Sequence, residues 1–322
     1  MDAKVFFNQM ITKAIESKTS DIYFMWREDS YQVLFRGTKG LDGYLTLNMQ
    51  NANQVINYCK YAAEMSISER RRPQAGRLSW NEENKKLSLR ISTVGDVHSH
   101  ESLVIRLIYD WQTTPAKFIN TEEYEKVSRL CQMRGLIVFA GPTGSGKTTT
   151  IYQLASNFSK QQIVMAIEDP VEVYQNDFLQ LQVNNDAGLS YMELIKVGLR
   201  HRPDVFIIGE IRDFETANAA VQAALSGHLV LTTVHAQSPT GVIQRLLNLG
   251  IESGYLEQAL TGIVYQRLLN TNSGSQKGII VGHAYEELNH ENYDWSTWQQ
   301  YLQKGVAEDE VSIAEAEKHW YG

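Results

Sequence analysis

The chain has 322 residues, 43% hydrophobic and 21% charged, which is the balance of a soluble globular protein and disfavours disordered, collagen-like and coiled-coil classes. Its length favours about two domains. The formal net charge of −7 argues against a surface that grips nucleic acid as a whole, and the two cysteines, Cys59 and Cys131, sit in unrelated contexts with no close-spaced pair, so neither a disulfide framework nor a four-cysteine zinc site can be written. A reducing compartment is the natural setting.

Taken in chain order, residues 1–17 carry Val5, Phe6, Met10, Ile11, Ala14 and Ile15 at helical spacing, interrupted by Asp2 and Glu16. This is an amphipathic helix and not a secretion signal, which needs a basic start and an unbroken apolar core. Residues 21–26 (DIYFMW) and 31–36 (YQVLFR) are short, aromatic and β-branched around a turn-like segment, and predict a hairpin. A helix is expected over 51–65, with Val55, Ile56, Cys59 and Ala62 on one face. Strands are expected at 86–93 and 103–108, so the first third is α+β.

The pattern lapses near 111–116 into a polar stretch containing Pro115, which predicts a linker. Beyond it, apolar strands at 136–140 (LIVFA), 163–167 (IVMAI), 205–208 (VFII) and 229–233 (LVLTT) alternate with helices. That rhythm predicts a parallel α/β sheet. Residues 270–278, rich in Asn, Ser and Gly, are expected to be a loop, and no apolar run approaches the ~20 residues needed to cross a bilayer. The chain is expected in the cytoplasm.

Gly141-Pro142-Thr143-Gly144-Ser145-Gly146-Lys147-Thr148 satisfies G-x-x-x-x-G-K-[ST] between an expected strand and an expected helix. By average residue frequencies the pattern arises by chance in about one chain in a hundred of this length, before that context is counted. Glycines let the loop turn its N–H groups toward an anion, Lys147 reaches the β- and γ-phosphates, and Thr148 offers a hydroxyl to Mg²⁺. ATP and Mg²⁺ are the expected cofactors.

The strand 205–208 runs into Gly209-Glu210-Ile211-Arg212-Asp213. A carboxylate at the end of a strand in the same sheet can order the attacking water, so Glu210 is the first choice for catalysis. Gly209 replaces the usual acidic residue, which leaves the metal to Thr148, phosphates and waters. The strand ending at Ile167 continues as Glu168-Asp169-Pro170-Val171-Glu172. Such acidic turns are more often solvated surface. The strand-end position nevertheless makes Glu172 a candidate for polarising water, with Glu168 and Asp169 nearer the metal or structural, Glu168 in part through water. His235, after 229–233, could sense the γ-phosphate, although a lone histidine is more often structural; His228 has less support.

The segments GPTGSGKTTT (141–150, including Thr149), IEDPVE (167–172), RPDVFIIGEIRD (202–213) and SGHLVLTTVHA (226–236) together resemble the secretion and type IV pilus ATPases. SDIYF (20–24), FRG (35–37), RPQAGR (72–77), LSLRIST (87–93) and LVIRLI (103–108) extend the resemblance into the first third, and QRLL (266–269) carries it further. It implies a smaller α+β, PAS-like domain over 1–110, a linker at 111–117, and a RecA-like P-loop ATPase domain over 118–322 with a C-terminal helical segment. It also implies hexameric rings at the cytoplasmic face of the membrane, a polytopic platform protein as partner, pilins as indirect partners, and no direct contact with nucleic acid. Arg77, Arg90 and Arg106, which by spacing alone are surface or strand-edge arginines, acquire from it a role at the phosphates; the triple Arg70-Arg71-Arg72 is expected to be solvated. On this reading the long N-terminal extension of many family members is not expected, and the sequence shows neither their four-cysteine module after QRLL nor the basic motif of retraction motors. In this it most resembles the competence-pilus assembly ATPases of Gram-positive bacteria. Tyr293, Trp295, Trp298, Tyr301, Trp320 and Tyr321 are expected to cap a small helical core.

Overall fold

The computed structural model describes residues 1–37, 40–82, 85–109, 115–288 and 293–322. The chain divides into two units, Met1–Thr114 and Pro115–Gly322. Of the stretch expected to be a linker, 111–114 lie outside the described residues, and 115–117 fall in the second unit, where the Gly278 N–H donates to the Lys117 carbonyl.

In the first unit, α1 (Ala3–Glu16) starts where the Asp2 carboxylate accepts from the N–H groups of Lys4 and Val5. Phe7, Met10, Ile11 and Ala14 are buried at i, i+3, i+4 and i+7, the spacing of a single inward face. There follow β1 (Asp21–Arg27), β2 (Ser30–Gly37), β3 (Gly40–Leu47), α2 (Met49–Ala62), β4 (Gln74–Glu82), β5 (Lys85–Gly95) and β6 (Glu101–Tyr109). The strands form an antiparallel sheet in the order β3-β2-β1-β6-β5-β4, and the helices share one core with its apolar residues, among them Ile22, Phe24, Val33, Leu89, Ile91 and Ile105. Inside it, Lys60 donates to Glu101 and to the Glu69 carbonyl, both at 2.5 Å, with the lysine fully buried. Burying a charge is tolerated here because it is paired and hydrogen-bonded.

The second unit contains α3 (Thr121–Leu130), β7 (Gly135–Ala140), α4 (Lys147–Phe158), β8 (Val164–Glu168), β9 (Phe178–Gln182), α5 (Tyr191–His201), β10 (Val205–Ile208), α6 (Phe214–Leu225) and β11 (Leu229–Val234). It continues with α7 (Pro239–Asn248), α8 (Ser253–Ala259), β12 (Leu260–Asn270), β13 (Gln276–Ala284), α9 (Ser296–Ala307) and α10 (Ile313–Lys318). The sheet order is β13-β12-β7-β11-β10-β8-β9, parallel throughout except at the β12–β13 pair. Every residue of β7, β8, β10 and β11 is buried, as strands covered on both faces must be.

The loop expected over 270–278 is shorter than its composition suggests. Asn270 ends β12 and pairs with Gln276 of β13, leaving the turn to 271–275. The aromatic residues near the end of the chain pack on this sheet: Trp298 is fully buried, its indole N–H donates to the His319 carbonyl at 2.8 Å, and the Tyr265 ring meets Trp295 and Trp298 edge-on at 5.5 Å. Tyr293, Trp295, Trp298, Tyr301 and Trp320 extend the main core of the unit and do not form a separate one, whereas Tyr321, expected with them, is exposed. Residues 285–322 hold nine carboxylates against two lysines and no arginine, a net −7 equal to that of the whole chain.

Candidate functional site

β7 delivers the chain to Gly141, and α4 begins at Lys147. Between them Gly141, Gly144 and Gly146 have φ of 139°, 79° and 83°, a left-handed run that side chains resist, so the glycines are required by the turn itself. No side chain caps α4, and its first N–H groups are left to the loop, the arrangement of an anion site. The Lys147 ammonium is nearly buried and donates to the carbonyls of Gly141 (3.0 Å) and Pro142 (2.8 Å). Burial pulls its pKa down to about 8; Glu210 opposes that shift and Arg267 adds to it. Thr143 and Gly144 are exposed at the lip, Ser145 is buried, and Pro142, Thr148 and Thr149 are half-buried.

Four strands with their C-terminal ends at one level bring the other expected residues beside this loop. Ala140 pairs with Val234, so Gly141 leaves the sheet beside His235; Ile208 pairs with both Thr232 and Ile167, so Gly209 follows between Thr233 and Glu168 at the same edge. This is where parallel α/β sheets bind ligands. Glu210 accepts from the Arg212 guanidinium, and the His235 Nε2 stands 3.6 Å from its other oxygen. The geometry therefore joins Glu210 to His235. His228 lies at the opposite end of β11, where its ring nitrogen contacts the Ala223 carbonyl, so it stands apart from this edge.

Glu168 is buried and accepts from the Tyr152 hydroxyl of α4, which in turn accepts from the Gln180 amide of β9 at 2.8 Å. Burial and the Glu168 charge push the Tyr152 pKa upward, so its proton stays on the bond to Glu168. Glu172 is half-buried in the loop after β8 and adds to the negative field on Tyr152, whereas Asp169 is exposed. Gly209 is explained by its neighbours: a Cβ there would come within 3.1 Å of the Tyr191 hydroxyl and 3.3 Å of Glu168. Tyr152, Gln180 and Tyr191 escaped the sequence analysis. Tyr152 had one usable signal, a polar tip on the helix that starts at Lys147.

In the first unit, Arg77 pairs with Arg90, Arg90 with Arg106, Arg106 with Asp21, and Asp21 with Arg36. Directly opposed residues share a sheet face, so these form one cross-strand row. The Arg106 Nε donates to Asp21 at 2.8 Å, and the Arg36 guanidinium lies 5.2 Å from the Tyr23 ring centre. Asp21 and Arg36 were not singled out by sequence because only the register shows them in the row. Like-charged side chains set abreast repel, and the Asp21 carboxylate within the row offsets part of that repulsion.

Among the described residues no three His, Cys, Asp or Glu side chains converge as a metal cage, and none of the helices is long and apolar enough to span a membrane. The donors at the loop, a threonine hydroxyl and nearby carboxylates, suit a hard cation that keeps waters and takes phosphate oxygens.

The family model described as type II/IV secretion system protein matches residues 3–311. The competence protein ComGA of Streptococcus pneumoniae is 40% identical over 309 residues, covering 96% of each chain. ComGA of Bacillus subtilis is 35% identical over 329 aligned positions, covering 92% of each. Among solved structures, the Legionella pneumophila ATPase DotB superposes with a TM-score of 0.77 at 18% identity, over 97% of this chain and 94% of that one. That last likeness speaks for the fold.

Proposed function

The chain belongs to the type II/IV secretion system protein family, and from that premise we propose that it is an ATP-hydrolysing motor subunit powering assembly of a competence pilus or pseudopilus for DNA uptake. The observation that carries the reading is the convergence of the glycine loop, Lys147, Glu210 and His235 along the ends of adjacent parallel strands.

In this reading residues 141–149 cradle the phosphates, and Lys147 exchanges the carbonyls of Gly141 and Pro142 for β- and γ-phosphate oxygens. Glu210 takes a proton from water as the water oxygen bonds to the γ-phosphorus, the bond to the bridging oxygen breaks, and ADP leaves with that electron pair. His235, beside Glu210, hydrogen-bonds the γ-phosphate and registers its loss. Thr148 would hold Mg²⁺, with Glu168 acting through water from its place beside Tyr152; when bound, the ion neutralises charge on the β- and γ-oxygens. Glu172 is the reserve base. Arg77, Arg90 and Arg106 offer guanidinium groups to phosphate charge, as arginine fingers do.

The relatives' name, competence protein, supports the pilus setting. The motor works as a homo-oligomeric ring, a hexamer, at the cytoplasmic face of the membrane, where it drives a polytopic platform protein and pilins through it. The net charge of −7 supports a motor that acts on protein and not directly on nucleic acid.

A purified, assembled chain should hydrolyse ATP, and a deletion strain should lose both surface pili and DNA uptake. Surplus pili in that strain would assign the motor to retraction, and hydrolysis stimulated by DNA with steep salt dependence would assign it to DNA translocation. No affinity for adenine nucleotides under any assembly condition would overturn the reading entirely.

A further inference from the structure

β12 lies against β7 in parallel, and Tyr265 pairs with Ala140, so the next residue, Gln266, sits beside Gly141 where the phosphate loop begins. Gln266 is 1% exposed. Its amide Nε2 donates to the Ser145 carbonyl at 2.7 Å, while its Oε1 is buried with no donor in reach among the described residues. The Ser145 carbonyl is thus what holds the side chain. Its main chain is close as well: a Cβ on Gly141 would run into the Gln266 carbonyl, while one on Gly146 would come within 3.0 Å of the same side-chain Nε2.

We infer that Gln266 is a positioning residue that sets the direction of the phosphate-binding N–H groups, an inference that rests on the nucleotide reading above. In a trans peptide the carbonyl and the following N–H point in opposite directions. Drawing the Ser145 carbonyl toward β12 therefore turns the Gly146 N–H away from β12, across the loop. With Gly146 at a φ of 83°, the Lys147 and Thr148 N–H groups of the first helical turn follow. β12 is itself fixed on its far side, where Gln266 pairs with Ile280 of β13. The loop glycines supply freedom, and Gln266 removes it in the one orientation that faces an anion. The group it serves is the β-phosphate, since in loops of this kind the backbone N–H groups cradle the α- and β-phosphates.

The test is a displacement titration with a fluorescent ADP analogue on the full chain, giving Kd for ADP and for AMP, alongside the unliganded Tm. Gln266→Leu should weaken ADP about tenfold, the scale of one lost hydrogen bond with a stranded carbonyl, while AMP, which lacks the β-phosphate, changes far less. Gln266→Glu should be equally weak at about pH 8. It should recover relative to wild type as the pH falls toward about 6, because the protonated carboxyl regains an O–H donor for the Ser145 carbonyl. A residue that merely filled space would show no such recovery, and this second variant decides the matter if the leucine variant does not fold. Unchanged ADP affinity in Gln266→Leu, equal losses for ADP and AMP, or a flat pH ratio in Gln266→Glu overturns the inference while leaving the nucleotide reading intact. Wild type that binds no ADP overturns both.

Discussion

The two sheets of this chain handle polar side chains in opposite ways. The antiparallel sheet of the first unit buries one face, and along β6 its residues alternate, Leu103, Ile105 and Leu107 inward and Arg106 outward. Charged groups can sit in the middle of its strands, and the row of Arg36, Arg106, Arg90 and Arg77 around Asp21 is the result. In the second unit β7, β8, β10 and β11 are buried on both faces, which leaves no mid-strand place for a charge. Its chemistry is pushed to the strand ends. One unit carries its charged groups on a face and the other at an edge.

The sharpest way to break this contrast is at the edge. Lys147→Ala should abolish ATP binding in a calorimetric titration, since it removes the ammonium that is hydrogen-bonded within the loop itself. Glu210→Gln should keep ATP bound and lower kcat by roughly 10³-fold, within the usual range for a lost general base; normal turnover there would transfer the role to Glu172. The matching stability experiment lies in the first unit. Glu101→Leu strands the buried Lys60 and should cost about 3–5 kcal/mol in urea unfolding. On the open face, Arg90→Ala should lower kcat by about tenfold to a hundredfold, the scale of one charge-assisted hydrogen bond; a loss as large as that of Glu210→Gln would erase the distinction between face and edge. The smallest effect is in pH. Lys147 loses its charge as pH rises through about 8, so ADP affinity should fall by no more than about tenfold between pH 7 and 9. Unliganded stability moves the other way: the folded pKa lies below the ordinary 10.5, the unfolded chain holds more protons between about 8 and 10.5, and stability rises with pH across that window.

The edge was the more legible of the two, because its residues follow uniformly apolar strands and belong to contiguous motifs. Residues 141–148 and Glu210 could be placed from local context alone. β3 went unseen because its exposed residues around Gly40, Asp42 and Gly43 carry no alternation. β12 follows α8 without a break, and an apolar run of that kind has no period that separates strand from helix. β13 begins inside a stretch whose Asn, Ser and Gly content signals a loop; there Gly278 lies flat against Phe118, whose ring a Cβ would approach to 2.7 Å. In the site, Tyr152 with Glu168, Gln266 with Ser145 and Asp21 with Arg106 are pairs made by how helix, loop and strands pack, not by local sequence. Such pairs join residues separated by 16, 121 and 85 positions, and no local pattern encodes them.

The uneven placement of charge has a consequence of its own. With residues 285–322 holding the entire surplus and the preceding 284 formally neutral, the segment of α9 and α10 is a local concentration of negative charge. Within about a Debye length of anionic lipid headgroups, ~8 Å at physiological salt, that segment is repelled. Orientation at such a surface is thereby biased before any specific contact forms, and added salt should weaken the bias.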